Sequence, residues 1–430
     1  MYREILSELR RWKGRADRKP LILLGARQVG KTWAMRTFGA DEYDNVAYVN
    51  CDEEPLARQL FDADYNLERI MLGMQAMTGV SIAPEKTLII LDELQEAPRG
   101  LHCLKYFCEK APQYHIIAAG SLLGVTLGDG QAFPVGKVDM LRLYPMNFHE
   151  FVRATEGDKM AELLEKGDWE CMEIFSDKLK EMLKQYYYVG GMPEIVETFR
   201  NTHDLKDVRT KQRAILEAYR NDISKHASTT ESMRIGQVMA SLPSQIAKEN
   251  KKFIYGLIKK GARAADYEIA IQWLVDAGIV HRVHRVKELR KPLKFYEDTS
   301  AFKLFLLDCG LLGAMAGTSA AQMIIDDSAL TEYKGAFTEQ YVLQQLVARG
   351  YQPYYWSNAK TPAEIDFIID TDELVIPIEV KAGTNVRSKS MATYISTHPD
   401  MHLKGLRLSM LPYKDQGWME NVPLYALFIK

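Results

Sequence analysis

The chain has 430 residues, which suggests about three domains at roughly 150 residues each. Hydrophobic residues make up 47% and charged residues 26%, values that argue against a wholly disordered, collagen-like or coiled-coil protein. The formal net charge of −2 argues against a uniformly basic nucleic-acid coat. No apolar run approaches the ~20 residues of a membrane span, and the charged N-terminal segment lacks the apolar centre of a signal peptide. We therefore expect a cytoplasmic protein without a membrane partner.

The first third of the chain alternates short apolar runs with segments of helix length. Such runs are typical of strands in a parallel sheet, because helices cover both faces of that sheet. We therefore predict one α/β domain over residues 1–145. Its five predicted strands are residues 20–25, 46–50, 87–93, 115–121 and 140–145.

A phosphate-binding motif follows the first predicted strand and precedes a segment that can open as a helix. The motif fits the pattern G-x-x-x-x-G-K-[ST]. It consists of Gly25, Ala26, Arg27, Gln28, Val29, Gly30, Lys31 and Thr32. Glycines let backbone N–H groups approach a phosphate without a Cβ clash, and the helix N-terminus adds partial positive charge. We predict that Lys31 contacts the β- and γ-phosphates of a nucleoside triphosphate and that the Thr32 hydroxyl binds Mg²⁺.

Polar residues end the third and fourth predicted strands. Asp92 would lie in the magnesium shell, and Glu93 would polarise the attacking water as general base. Taken alone, an acidic pair at a strand end can be a solvated turn, but the phosphate motif upstream favours catalysis. Ser121 would place a hydroxyl near the γ-phosphate or the water, and an ordinary helix N-cap is the alternative.

The middle of the chain is predicted to be helical and basic. A predicted helix at Asp266–Asp276 ends at Gly278, before a β-rich segment at Ile279–Val286, and this order resembles a winged-helix module. Residues 203–300 hold 19 Lys and Arg against 12 Asp and Glu, which favours a polyanionic partner such as DNA. The alternative is a solvated helix face with aromatic core residues.

The last part of the chain carries a second set of charged residues. An amphipathic helix after about Glu332 precedes several strand-like segments, which predicts another compact unit. A carboxylate on one strand and E-x-K on the next resemble the PD-(D/E)xK nucleases. The candidate site consists of Glu339, Asp366, Glu379 and Lys381.

This set has a physical rationale and two alternatives. Residues two apart in a strand face the same side, so Glu379 and Lys381 project together. Asp366 and Glu379 could hold Mg²⁺ or Mn²⁺ through oxygen ligands, while Lys381 could orient hydroxide or stabilise the pentacovalent phosphate. Glu339 would complete the cluster from the helix. The alternatives are chance alternation of charge on an edge strand and a domain kept as an inactive scaffold.

Blocks of sequence along nearly the whole chain resemble those of prokaryotic AAA-type ATPases with an uncharacterised C-terminal domain. The blocks include KPLILLGARQVGKT, LIILDELQEAP, AAGSLLG, LRLYPMNFHEF, YYYVGGMPEIV, EIDFII and IEVKAG, in the family's order. The resemblance implies an α/β fold with a P-loop AAA-type parallel sheet of strand order 5-1-4-3-2. It also implies ATP and Mg²⁺ as cofactors and assembly of the chain into a homo-oligomer, as a ring or partial ring.

The resemblance further divides the chain into four segments. These are an AAA-type core at 1–145, a helical lid at 146–202, a winged-helix-like segment at 203–331 and a PD-(D/E)xK-like, restriction-endonuclease-like α/β domain at 332–430. In such assemblies one subunit lends a cationic residue to its neighbour's γ-phosphate. Family members show a Gly-Arg pair before the fifth strand, where this chain has Gly136 and Lys137. Lysine lacks the bidentate fork of arginine, so Arg142 is the alternative to Lys137.

Three functions therefore stay open. The first is a Mg-ATP-driven motor or remodeller acting on double-stranded or branched DNA. The second is an ATP-gated nuclease in which nucleotide state licenses the C-terminal site. The third is a nucleotide switch that scaffolds a protein partner. The first two predict that nucleic acid stimulates ATP hydrolysis, and the third predicts no stimulation.

Overall fold

The structure is a computed structural model, and it describes residues 1–120, 123, 134–248, 252–320, 323, 334–358, 360–383 and 387–427. The chain forms two compact units. The first comprises Met1–Tyr144 with the short segment Asp276–Gly278, and the second comprises Pro145–Val275 with the chain from Ile279 onward.

The described part of the first unit contains a five-stranded sheet in the order β2-β3-β4-β1-β5, with every pair of neighbours parallel. This order confirms the predicted P-loop AAA-type sheet. The strands are β1 (Leu21–Leu24), β2 (Asn45–Asn50), β3 (Thr87–Asp92), β4 (His115–Ala119) and β5 (Asp139–Arg142). The helices are α1 (Ile5–Lys13), α2 (Lys31–Glu42), α3 (Pro55–Ala63), α4 (Leu67–Thr78) and α5 (Pro98–Lys110).

Burial along these strands follows their place in the sheet. The inner strands β3 and β4 are buried at every position, because helices cover both of their faces. The edge strands β2 and β5 instead alternate between less and more exposed positions. One face of the sheet packs against α3, α4 and α5 through side chains such as Ile89, Phe61, Leu104 and Phe107. This packing fixes the carboxyl ends of β1, β3 and β4 at one edge of the sheet.

The second unit combines helices with a mixed sheet. Its helices are α6 (Phe148–Glu156), α7 (Asp158–Lys166), α8 (Trp169–Ile174), α9 (Ser176–Val189), α10 (Pro193–Thr202), α11 (Leu205–His226), α12 (Thr229–Ile246), α13 (Ala264–Asp276), α14 (Cys309–Ala316), α15 (Lys334–Ala348) and α16 (Lys389–Thr397). Its strands are β6 (Val280–Val286), β7 (Glu297–Leu306), β8 (Tyr354–Ser357), β9 (Glu364–Asp370), β10 (Val375–Val380), β11 (Gly405–Ser409), β12 (Lys414–Asp415) and β13 (Met419–Pro423).

The eight strands of this second sheet run in the order β12-β13-β11-β10-β9-β8-β6-β7. β6 and β7 form an antiparallel hairpin, and β6 also pairs with β8 through Arg285 and Tyr355. The hairpin that the sequence assigns to the winged-helix-like segment therefore extends the C-terminal sheet. This pairing satisfies one edge of β6, which would otherwise present unpaired backbone groups. The winged-helix assignment itself stays a prediction.

A buried carboxylate joins three segments of the second unit. One oxygen of Asp308 accepts hydrogen bonds from the backbone N–H of Gly191 at 2.6 Å and from the Gln344 amide at 3.1 Å. Its other oxygen caps α14 by accepting from the N–H of Leu311 at 2.9 Å. Burial raises the pKa of Asp308, and the hydrogen bonds from Gly191 and Leu311 oppose that rise. This network explains why polar residues occupy otherwise apolar sequence blocks.

Candidate nucleotide site and C-terminal carboxylate cluster

The phosphate motif forms the loop between β1 and α2. Gly25 has a φ of +148°, and a Cβ at this position would lie 2.3 Å from the carbonyl oxygen of Leu143. Gly30 has a φ of +95° and precedes the first residue of α2. Both positions therefore require glycine, and the loop delivers the N-terminus of α2 to the carboxyl end of β1.

Lys31 lies against the backbone of its own loop. Its Nζ donates to the carbonyl oxygens of Gly25 and Ala26, each at 2.8 Å, and the residue is only 6% exposed. Burial lowers the pKa of Lys31 to about 8, although the charges of Glu93 and Asp92 act in the opposite direction. The two loop carbonyls carry only partial negative charge and therefore compensate the buried ammonium incompletely. A polyphosphate bound at the helix N-terminus would supply full negative charge.

Asp92 ends β3 beside the start of α2. Its Oδ2 accepts hydrogen bonds from the hydroxyls of Thr32 at 2.6 Å and Tyr48 at 3.0 Å, and the residue is 3% exposed. Burial raises the pKa of Tyr48 to about 12, so this hydroxyl stays protonated and able to donate even in alkaline solution. Mg²⁺ is usually held by one or two carboxylates and by substrate phosphates. The hard oxygen donors of Thr32 and Asp92 therefore fit Mg²⁺.

Glu93 follows in an unusual conformation. Its φ is +49°, in the left-handed region that non-glycine residues seldom adopt. Its Oε2 accepts a hydrogen bond from the Gln95 amide at 2.6 Å. A Cβ on Gly120, just after β4, would lie 2.1 Å from the Gln95 Oε1. Gln95 therefore fills the space between Glu93 and the tip of β4, and this contact fixes the carboxylate.

Two residues that sequence reasoning missed support the site from outside the motif. Arg3 is buried, and its guanidinium donates to the carbonyl oxygens of Val29 at 2.8 Å and Tyr144 at 2.6 Å. Tyr48 reaches Asp92 from β2, and the Arg36 guanidinium lies 3.9 Å from the centre of its ring. Neither Arg3 nor Tyr48 belongs to a recognisable local pattern, because each acts across the fold.

The remaining predicted residues of this unit have separate positions. Ser121 lies outside the described residues. The Nζ of Lys137 forms an ion pair with Glu109 Oε1 at 2.9 Å on the surface, and this contact raises the pKa of Lys137. Arg142 ends β5 beside Leu24 and is exposed. A trans-acting role for Lys137 or Arg142 stays a prediction.

The second unit brings the four predicted C-terminal residues into one charged cluster. The Nζ of Lys381 lies 2.6 Å from Glu379 Oε1, and Asp366 Oδ2 accepts from the backbone N–H of Val380 at 2.7 Å. Burial raises the pKa of Glu379, with the charge of Glu339 adding to that rise and Lys381 opposing it. Burial would lower the pKa of Lys381, but the negative charges of Glu379, Asp366 and Glu339 raise it on balance.

Lys303 and Glu364 complete this cluster and were not predicted from the sequence. Lys303 comes from β7, is 1% exposed and contacts Glu364 Oε1. Burial acts to lower its pKa, yet Glu364, Glu339 and Asp366 raise it above the ordinary value. No group of three or more His, Cys, Asp or Glu side chains able to hold a metal is found in the described part of the chain. With two lysines in contact with its carboxylates, the cluster as it stands does not fit a divalent ion.

The basic middle of the chain is partly neutralised by ion pairs. Arg282 pairs with Glu268 at 2.6 Å, Arg285 with Asp298 at 2.5 Å, and Arg290 with Asp400 at 2.9 Å. Three other cations are exposed at or before the start of α13, namely Lys259, Lys260 and Arg263. Within the described residues, no helix has both the length and the apolar character needed to cross a lipid bilayer.

Three segments of the chain match known protein families. Residues 17–152 match an AAA domain, whereas residues 180–322 and 334–426 match two domains of unknown function. A comparison with curated proteins found no match.

Solved structures with some similarity include the Aeropyrum pernix Orc1 protein in complex with DNA, at 14% identity and a TM-score of 0.29. That match covers 74% of this chain and 93% of the other. DnaA from Aquifex aeolicus bound to AMPPCP has 15% identity and a TM-score of 0.24, with coverages of 64% and 86%. Drosophila ORC bound to DNA has 13% identity and a TM-score of 0.26, with coverages of 73% and 84%.

Proposed function

We propose that this chain, which belongs to the AAA-type family with an AAA domain and a C-terminal domain of unknown function, binds and hydrolyses Mg-ATP at the loop Gly25–Thr32. The observation that carries the proposal is the convergence of Lys31, Thr32 and Asp92, from α2 and β3, at the N-terminus of α2. The three side chains supply an ammonium, a hydroxyl and a carboxylate within one buried site.

Each residue has a distinct role in this proposal. Lys31 would leave the carbonyls of Gly25 and Ala26 to contact the phosphates. Thr32 and Asp92 would hold Mg²⁺, which would supply positive charge to neutralise the negative charge that develops. Glu93 takes a proton from the attacking water, and Gln95 keeps its carboxylate in position.

Replacing Glu93 with Gln tests the hydrolytic step. The amide cannot accept the proton of water, so we expect ATP turnover to fall by about 10²- to 10⁴-fold while ATP binding persists. Glu96→Gln, three residues further along the chain, is the matched control and should retain turnover. If Glu93→Gln hydrolysed ATP as fast as the wild type, Glu93 would not be the general base.

We also propose DNA as the partner of this ATPase. The support is electrostatic, because Lys259, Lys260 and Arg263 are exposed cations near the start of α13. Single-stranded, double-stranded and branched DNA should be compared as stimulators of ATP turnover, at low and physiological salt. Loss of stimulation in the Lys259→Glu/Lys260→Glu double variant would support the proposal. Absence of stimulation by every DNA would instead favour the nucleotide switch that scaffolds a protein.

Homo-oligomer formation is the third part of the proposal. Lys137 is accessible on the surface, where it forms an ion pair with Glu109. In an oligomer, Lys137 could leave Glu109 and contact the γ-phosphate bound by a neighbouring subunit. Mass measurement with a non-hydrolysable ATP analogue should show an assembly larger than one chain. Lys137→Ala should then lower ATP turnover without lowering ATP affinity, whereas the same result in Arg142→Ala alone would assign the role to Arg142.

DNA cleavage is a second candidate function, and the contact between Lys381 and Glu379 at 2.6 Å favours it. In this proposal Glu379 positions Lys381, whose ammonium stabilises negative charge on the scissile phosphate. Asp366→Ala should abolish cutting of linear, forked and supercoiled DNA and leave ATP turnover intact. Wild-type protein that leaves all three substrates uncut, both without a divalent ion and with added Mg²⁺ or Mn²⁺, would exclude this candidate.

A further inference from the structure

A basic pocket of about 660 Å³ opens on the second unit, and none of its lining residues belongs to the nucleotide site. Its cations are Arg387, Lys389, Arg407 and Lys414. No Asp or Glu is found among the described residues that line it. The acids next to Lys414 along the β12–β13 ribbon, Asp415 and Glu420, form ion pairs with Lys404 at 3.1 and 2.7 Å. The described lining of the pocket therefore holds four cations and no acid, which favours an anionic ligand.

The floor of this pocket is built from three neighbouring strands. Glu379, Arg407 and Asn421 are register partners across β10, β11 and β13, so their side chains share one face of the sheet. Arg407 is buried, and its Nε donates to Asn421 Oδ1 at 2.8 Å. The Asn421 amide is itself fixed by the carbonyl oxygens of Leu411 and Pro412. Arg407 is thus held in one orientation on the pocket floor before any ligand arrives.

The N-terminus of α16 supplies a second group for an anion. Ser388 precedes this helix, lines the pocket and is 7% exposed, yet its hydroxyl has no hydrogen-bond partner among the described atoms. Buried polar groups are almost always satisfied, so an orphaned hydroxyl at a pocket wall points to an absent ligand. The first turn of the helix adds backbone N–H groups and partial positive charge on the same side.

An aromatic ring lies on the rim beside these cations. Trp418 is 38% exposed and lines the pocket with Leu411, another exposed apolar side chain. Tyr413 stands on the same rim, stacked on Trp169 at a ring separation of 4.2 Å. Proteins that bind single-stranded nucleic acids combine cations, which contact the phosphates, with exposed aromatic rings, on which the bases stack. A duplex would keep its bases stacked inside and could not use the ring.

We propose that this pocket binds single-stranded nucleic acid, with one phosphate at Arg407, Ser388 and the N-terminus of α16 and an adjoining base on Trp418. The pocket shares no residue with the nucleotide site or with the exposed cations Lys259 and Lys260. It lies in the same row of the sheet as Glu379, so a bound strand would pass the charged cluster that contains Lys381.

The test is binding of fluorescently labelled (dT)20 to the full chain, measured by anisotropy across a salt series. Because Arg407 is buried and its variant could fail to fold, the informative changes are at the exposed Lys414 and Trp418. Trp418→Ala should weaken binding by about ten-fold or more, as loss of a stacked base does. Lys414→Ala should weaken it and reduce the slope of log K against log salt by about 0.7.

Two controls make the result specific. Lys159→Ala removes an exposed lysine elsewhere in the same unit and should bind (dT)20 like the wild type. Trp418→Ala should leave the affinity for a duplex of the same length unchanged. Wild-type affinity for (dT)20 in Trp418→Ala and Lys414→Ala would overturn the proposal, as would an equal loss of duplex binding in Trp418→Ala. Glu93→Gln should keep its affinity for (dT)20, so failure here is distinguishable from failure of the proposed ATPase.

Discussion

Lys31 is the residue whose ionisation most directly links this structure to a measurable property. Burial lowers its pKa to about 8, so the side chain loses its proton as the pH rises through 8. Bound phosphates would favour the charged form and raise that pKa again. ATP binding should therefore be coupled to proton uptake, and affinity should fall as the pH rises above 8.

Calorimetry at pH 8 in two buffers of different ionisation enthalpy measures this coupling. We expect an uptake of about half a proton per ATP, because a group with a pKa near the ambient pH is half protonated before binding. Lys31→Arg, whose guanidinium stays charged, should show a smaller uptake. Heats that do not depend on the buffer would mean that Lys31 carries its proton already.

Other residues of the site show what a local pattern can and cannot reveal. Gly25, Lys31 and Thr32 belong to one short motif, and Asp92 ends an apolar strand. The sequence alone therefore predicts that these residues contribute to one nucleotide site. Gln95 lies two residues from Glu93, and its side chain also needs the space left by Gly120, just after β4. No sequence pattern encodes such a contact, because it exists only after β3 and β4 pair.

At the scale of elements, α1 is tied to the phosphate loop through Arg3. Its two hydrogen bonds, to Val29 and Tyr144, connect the chain just before α1 with the loop and with the segment after β5. Removing the guanidinium takes this donor away from two carbonyl oxygens, in one buried and one partly buried hydrogen bond. Arg3 therefore positions the loop and does not itself need to touch the nucleotide.

Arg3→Ala should lower the free energy of unfolding by about 2 kcal/mol and weaken ATP binding by roughly ten-fold. Chemical denaturation and calorimetry measure the two effects. The control is Arg11→Ala, which removes an exposed arginine of α1 that forms an ion pair with Glu8 of the same helix. An Arg3→Ala protein with unchanged ATP affinity would limit the residue to a purely structural role.

The sheets show how far elements were predictable from sequence. The apolar runs of β1, β3 and β4 stand out, because strands buried on both faces have no polar alternation, and the family resemblance supplied their order. The join between β6 and β8 was not predictable, since a single register pair, Arg285 with Tyr355, connects residues far apart in the chain. The same join brings Lys303 of β7 beside Glu364 of β9, which explains why sequence reasoning missed both residues.

At the scale of the whole molecule, the chain divides into two compact units, and the proposed nucleotide site lies in the first. A ligand that binds only the folded state stabilises it by an amount that grows with the logarithm of its concentration relative to Kd, so Mg-ATP in large excess should raise the unfolding midpoint of the first unit. The second unit depends instead on its own buried groups, among them Asp308.

Asp308→Ala should destabilise the second unit by at least about 3 kcal/mol, because the change leaves the N–H groups of Gly191 and Leu311 without their acceptor. ATP affinity should stay within about two-fold of the wild type. Scanning calorimetry with and without nucleotide separates the two effects, and Asp177→Ala, at a fully exposed aspartate, is the control. Loss of ATP binding in Asp308→Ala at a temperature where the protein is folded would show that the units are coupled.

The most direct test of the account is titration of the purified chain with ATP in the presence and absence of Mg²⁺, for the wild type and for Lys31→Ala. We predict magnesium-dependent binding by the wild type and a loss of at least about 100-fold in affinity in the variant, because a charge-assisted contact to phosphate is removed from a buried site. Equal affinity of the two proteins for ATP would contradict the assignment of this loop as the nucleotide site.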